Sequence, residues 1–107
     1  MSEYRVVFCT CPDTDVAGNL ASRLVAEKLA ACVNILPGLT SVYEWQGKVE
    51  SDPEVLLIIK TADDRLPTLI ERVEALHPYE VPEVIALPIE AGLPAYLNWI
   101  NDETRPQ

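Results

Sequence analysis

Cys9-Thr10-Cys11 is the local pattern in this chain with the most chemical potential. In an extended strand, residues two apart project to the same side, about 6.5 Å apart along the chain. Two thiolates placed in this way can hold a soft metal ion such as Cu(I). The alternative is burial: a free cysteine often serves as a small apolar core residue, and Pro12 signals that the strand is ending. Spacing alone leaves both readings open. His77 is the single histidine and falls where a helix is expected to end. An imidazole there can cap the last carbonyls, or act as a metal ligand or proton shuttle. Tyr79, Glu80 and Glu83 follow in a proline-rich loop. The tyrosine can donate a hydrogen bond, and either glutamate can bind a cation or act as a base, although glutamates beside prolines are usually just solvated. No Ser-His-Asp arrangement, phosphate-cradling glycine loop or zinc-knuckle spacing is present, and the chain has four glycines in all. The pattern reads as a binding protein, not an enzyme.

These residues must be positioned by a chain of 107 residues, read as a single domain over 1–107. Its formal charge of -9 argues against partners that need a basic face, namely nucleic acid and anionic membrane. The longest apolar runs, such as residues 55–59, fall far short of the ~20 residues needed to span a bilayer. Residues 1–5 carry mixed charge and lack the basic-then-apolar pattern of a secretory leader. The expected location is the cytoplasm, where the odd set Cys9, Cys11 and Cys32 stays as free thiols.

Residues 4–10 are rich in β-branched and aromatic types and predict a strand, ended by Pro12 and Asp13. Asp13 or Thr14 can cap a helix with Asp15 in its first turn. Ala17, Leu20, Ala21, Leu24 and Val25 recur at helical spacing and carry that helix to about Ala30. A short strand at 32–36, a bend at Pro37-Gly38 and a second extended stretch at 40–45 lead to a hairpin turn at Gln46-Gly47. The returning arm starts at Lys48. Ser51-Asp52-Pro53 is expected to interrupt it, since Pro53 cannot donate to a ladder. Residues 55–61 form the clearest strand. Asp63 or Asp64 can cap a second helix, with Pro67 in its tolerant first turn. Leu66, Leu69, Ile70, Val73 and Leu76 lie on its buried face, and Pro78 stops it. A fourth strand at 83–89 and a short helix at 95–101 complete the pattern, and the tail from Asp102 is expected to fray.

The order is βαββαβ plus a short C-terminal helix, an α+β pattern that predicts the ferredoxin-like split βαβ fold. Its antiparallel sheet order is 4-1-3-2, with both main helices on one face and a long hairpin between the second and third strands. In that topology the end of the first strand and the end of the second helix share one end of the sheet. Cys9, Cys11 and His77 therefore converge as a soft-metal constellation, while Cys32 lies at the opposite end. Residues 55–59 do not alternate apolar and polar, so both faces of that strand call for burial and the helices cover only one. A subunit interface answers this better than an exposed apolar face. Tyr43 and Trp45, on one side of the hairpin's first arm, are the expected interface aromatics, since an isolated hairpin is marginal.

Five ordered blocks carry a resemblance that runs from about Val6 to Ile100. The first is Phe8-Cys9-Thr10-Cys11-Pro12-Asp13. The second covers residues 27–34 and ends Ala31-Cys32-Val33-Asn34. The third covers 37–50, from Pro37-Gly38-Leu39-Thr40 through Tyr43-Glu44-Trp45-Gln46-Gly47. Residues 54–61 are the fourth, and His77-Pro78-Tyr79-Glu80-Val81-Pro82-Glu83 is the fifth. Together they resemble the CutA divalent-cation tolerance family. The resemblance implies a ferredoxin-like homotrimer built by strand contacts, a cytoplasmic role in tolerance of divalent metals, especially copper, and copper binding at Cys9 and His77. Leu76 stands where the family has the first of two histidines, which leaves the shell one ligand short unless Cys11 contributes. A second reading, by analogy of fold, is a trimeric module that senses a small molecule or docks a partner without binding metal directly.

Overall fold

The sequence patterns above resolve into four strands and three helices in the computed structural model, which describes residues 3–106. Strand β1 (Tyr4–Cys11) leads into helix α1 (Thr14–Ala26). Asp13 caps that helix in extended conformation, its Oδ1 accepting from the Val16 amide at 2.8 Å. The helix stops at Ala26, short of the expected Ala30, because Lys28 turns left-handed (φ 62°). The amides of Leu29 and Ala30 then both fold back to the Leu24 carbonyl. This puts Leu29 and Ala30 into the core, at 2% and 1% exposure.

Strands β2 (Cys32–Trp45) and β3 (Lys48–Ala62) form one long antiparallel ladder, where shorter pieces were expected. The bend at Pro37-Gly38 is a bulge: Leu36 pairs with Leu56 but Leu39 pairs with Glu54, so β2 carries one extra residue. Pro53 does not interrupt β3, and pairs with Thr40. Beyond Val55 the strand has outrun β1 and only β2 flanks it, so a missing N–H there costs little. The turn between the arms places Gln46 and Gly47 at φ 51° and 81°, the two positive angles of a tight hairpin turn.

A 3-10 turn (Asp63–Arg65) precedes helix α2 (Leu66–Leu76). Neither aspartate caps α2: Arg5 pairs with Asp63 at 3.0 Å and Arg105 with Asp64 at 2.7 Å. Leu69 and Val73 are fully buried, with Leu66 and Leu76 packed beside them, but Ile70 is exposed, so the apolar stripe of α2 is narrower than its sequence implies. Strand β4 (Ile85–Pro88) is only four residues long, and helix α3 (Pro94–Glu103) runs past its expected end. The stretch after α3 is docked, not frayed. Thr104 is fully buried with its hydroxyl on the Ile100 carbonyl at 2.8 Å, and Arg105 makes a two-pronged pair with Asp64.

The sheet order is β2-β3-β1-β4 with every neighbour antiparallel, as the split βαβ order requires. Val7, Cys9 and Cys11 of β1 lie opposite Ile59, Leu57 and Val55 of β3, and all six are buried beneath Leu20, Leu24, Leu69 and Val73 of the helices. Fully burying one such leucine or isoleucine contributes about 1.5–3 kcal/mol. The other sheet face is also apolar. Phe8, Leu56 and Ile58 are only half-buried there, and Leu36, Ile85 and Leu87 are about half exposed.

Candidate metal centre

Strand periodicity sets Cys9 and Cys11 on the helix side of β1, where both are fully buried. His77 reaches them from α2. It is the C-cap, its amide bonded to the Val73 carbonyl, and Pro78 holds it extended (ψ 139°). This conformation turns the imidazole back over β1 instead of over the helix carbonyls. Its Nε2 lies 2.8 Å from the Thr10 carbonyl oxygen, and its Nδ1 accepts from the Tyr79 amide at 3.1 Å. A carbonyl can only accept and an amide can only donate, so the ring is the Nε2–H tautomer. One donor atom from each of Cys9, Cys11 and His77 lies within 4.8 Å of the others, and the histidine is only 7% exposed.

Cys9 donates a hydrogen bond to Cys11, so the two thiols ionise unequally. Cys9 is pushed far above the ordinary thiol range, first by its hydrogen bond to Cys11, then by burial, with the Glu83 and Glu54 carboxylates adding to it. Cys11 is lowered by the same hydrogen bond from Cys9, which outweighs burial and the nearby Glu54 and Asp13. Cys11 is thus the readier thiolate. Tyr79 closes one side, its ring tilted against His77 with centroids 4.7 Å apart and its hydroxyl donating to Glu54 Oε2 at 2.8 Å. Burial first, then Glu54, raises its pKa well above that of free tyrosine. Soft sulfur donors in a closed, buried cluster suit Cu(I), whereas hard divalent ions prefer oxygen cages.

The structure therefore brings together Cys9, Cys11 and His77, with Glu83 near enough to act on Cys9, while Glu80 is exposed. Cys32 sits at the opposite end of the sheet, opposite Lys60 and against the Tyr96 hydroxyl. A cleft of about 610 Å³ also lies away from the thiols, beside Tyr4, Asp63 and Asn101. Tyr43 and Trp45 stand on the projecting hairpin, 43% and 61% exposed, the Tyr43 hydroxyl donating to Asp52. Sequence reasoning missed Glu54 and the Thr10 carbonyl. The register that places Val55 opposite Cys11 brings Glu54 in, and no local motif announces it.

The family described as CutA1 divalent ion tolerance protein matches residues 5–103. The "Divalent-cation tolerance protein CutA" of Thermus thermophilus is 56% identical over 99 residues, 92% of this chain and 96% of that one. The chloroplastic CutA of Arabidopsis thaliana is 57% identical over 100 residues, but there the match spans only 55% of the plant protein. The solved Thermus thermophilus structure superposes with a TM-score of 0.93 at 54% identity, covering 95% of this chain and 99% of that one. A structure titled as the periplasmic divalent cation tolerance protein CutA from Archaeoglobus fulgidus superposes at 0.92 with 37% identity, covering 95% and 99%. Among the described residues, no helix is long and apolar enough to cross a membrane. With a family match over nearly the whole chain and the same fold in solved relatives, this chain belongs to the CutA divalent-cation tolerance family.

Proposed function

We propose that the chain works as a cytoplasmic homotrimer that binds copper as Cu(I) at the Cys9–Cys11–His77 cluster, and so contributes to metal tolerance by binding and not by catalysis. One observation carries the metal reading: two thiols from β1 and an imidazole from the end of α2 meet within 4.8 Å in a buried cluster. The trimer reading draws its number from the family resemblance. The half-open apolar sheet face around Phe8, Leu56 and Ile58, and the exposed Trp45, support it. Buried free thiols suit a reducing compartment.

The test is a Cu(I) titration against a competing chelator, on the parent and on Cys9→Ser, Cys11→Ser and Cys32→Ser. Loss with Cys9→Ser and Cys11→Ser but not Cys32→Ser is expected. Binding weakens as pH falls, because thiol ligands must lose their protons to bind. Equal binding by all four proteins would remove the site and favour a module that senses a small molecule instead.

A further inference from the structure

His77 has no free ring nitrogen. The Nε2–H is spent on the Thr10 carbonyl at 2.8 Å, and the bare Nδ1 is spent on the Tyr79 amide at 3.1 Å. To ligate through Nδ1, the ring must strand the Tyr79 amide. To ligate through Nε2, it must give up its proton and its hold on Thr10. Thr10 is the residue between the two cysteines, and its carbonyl also lies 3.8 Å from Cys9 Sγ. We propose that His77 is a positioning residue and not a metal ligand. It grips the backbone between Cys9 and Cys11, so that both sulfurs are presented together, and it keeps the Thr10 carbonyl satisfied whether or not Cys9 carries its hydrogen. The same ring ties Tyr79 over the cluster, where the two rings lie 4.7 Å apart. The donors left for Cu(I) are the two thiolates, a set that needs no imidazole. This assignment rests on the copper reading of the same cluster.

A single histidine makes the test direct. A long-range proton–nitrogen NMR spectrum of the protein with labelled histidine, first without metal and then with one Cu(I) per chain, reads the ring itself. The expected result is the Nε2–H tautomer in the metal-free protein and the same tautomer, with little movement of the bare nitrogen, after loading. A Nδ1–H tautomer without metal, or a large shift of the bare nitrogen on loading, overturns the proposal. In parallel, His77→Ala is expected to weaken Cu(I) binding by about tenfold or more, the usual effect of losing a group that orients ligands. His77→Gln, whose amide keeps a donor for Thr10, is expected to restore most of that loss. Equal loss in both variants, with both retaining parental helix content, marks His77 as a ligand. If the parent takes up no Cu(I), the copper reading fails, and the metal-free spectrum still decides whether His77 grips Thr10.

Discussion

Tyr79 and Glu54 are joined across 25 positions of sequence by one hydrogen bond of 2.8 Å, which ties the loop after α2 to β3 beside Cys11. Tyr79→Phe removes it. Glu54 is partly open to solvent and is left hydrated, so the expected cost is at the low end for a hydrogen bond, about 0.5–1 kcal/mol. The pH dependence has a definite sign. Burial and Glu54 raise the Tyr79 pKa in the fold, so the protonated phenol favours folding. The stability gap between parent and variant is full below the pKa of free tyrosine, about 10, and closes as pH rises beyond it. Urea melts at about pH 8 and about pH 11 measure the gap at both ends.

The opposite sign holds at the other end of the sheet. Arg105 holds the Asp64 carboxyl below its usual range, with a smaller part from Arg65. That contribution is present above the ordinary carboxylate pKa and is lost as pH falls through the lowered one. Measured against the intrinsic exchange rate at each pH, amide protection at residues 101–105 should therefore fall on acidification in the parent. In Asp64→Asn it should be lower from the start and less sensitive to acid. A flat profile in the parent would mean that buried Thr104, not the ion pair, docks this segment.

Neighbouring leucines on β3 should behave differently. Leu57 is fully buried under the helices, and Leu57→Ala is expected to cost about 2–5 kcal/mol in urea melts. Leu56 points to the half-open sheet face. Leu56→Ala should leave the fold of one subunit nearly intact and lower the mass seen by light scattering on dilution, from the proposed trimer's value of about three times 11.9 kDa. Equal effects on melting, with no change in mass, would count against an interface on that face.

Trp45→Ala tests the hairpin. At 61% exposure the indole adds little to the fold of its own chain, so circular dichroism should barely change. If the ring fills a neighbour's surface, assembly should weaken by about 3–5 kcal/mol, the usual cost of removing a packed aromatic. Sedimentation of parent and variant over a dilution series separates the two cases.

Much of this architecture was legible because periodicity and punctuation are local. Leu20 and Leu24 announced α1, Asp13 its start, and Gln46-Gly47 the hairpin. The misses share a physical cause, namely partners distant in sequence. Asp63 and Asp64 look like helix caps until Arg5 and Arg105 arrive to claim them. Pro53 looks like a strand breaker until the length of β1 shows that β3 is flanked on one side only. Lys28 ended α1 early in a left-handed conformation that a lysine does not advertise. At the site, topology was enough to bring Cys9, Cys11 and His77 to one end. The hydrogen bonds that occupy both nitrogens of His77 needed the register and the loop geometry.

The overhang of β3 beyond β1 gives the molecule its elongated outline. The hairpin projects as a two-stranded arm, and the chain is drawn out to 45 Å along its long axis against 26 and 22 Å across. Its root is the point where β3 leaves the shelter of β1, at Val55 opposite Cys11. Glu54, the first residue past that point, is held by Tyr79, and Tyr79 by the ring of His77. The root of the hairpin and the backbone between the two thiols are therefore linked by one short relay of hydrogen bonds, Glu54 to Tyr79 to His77 to Thr10.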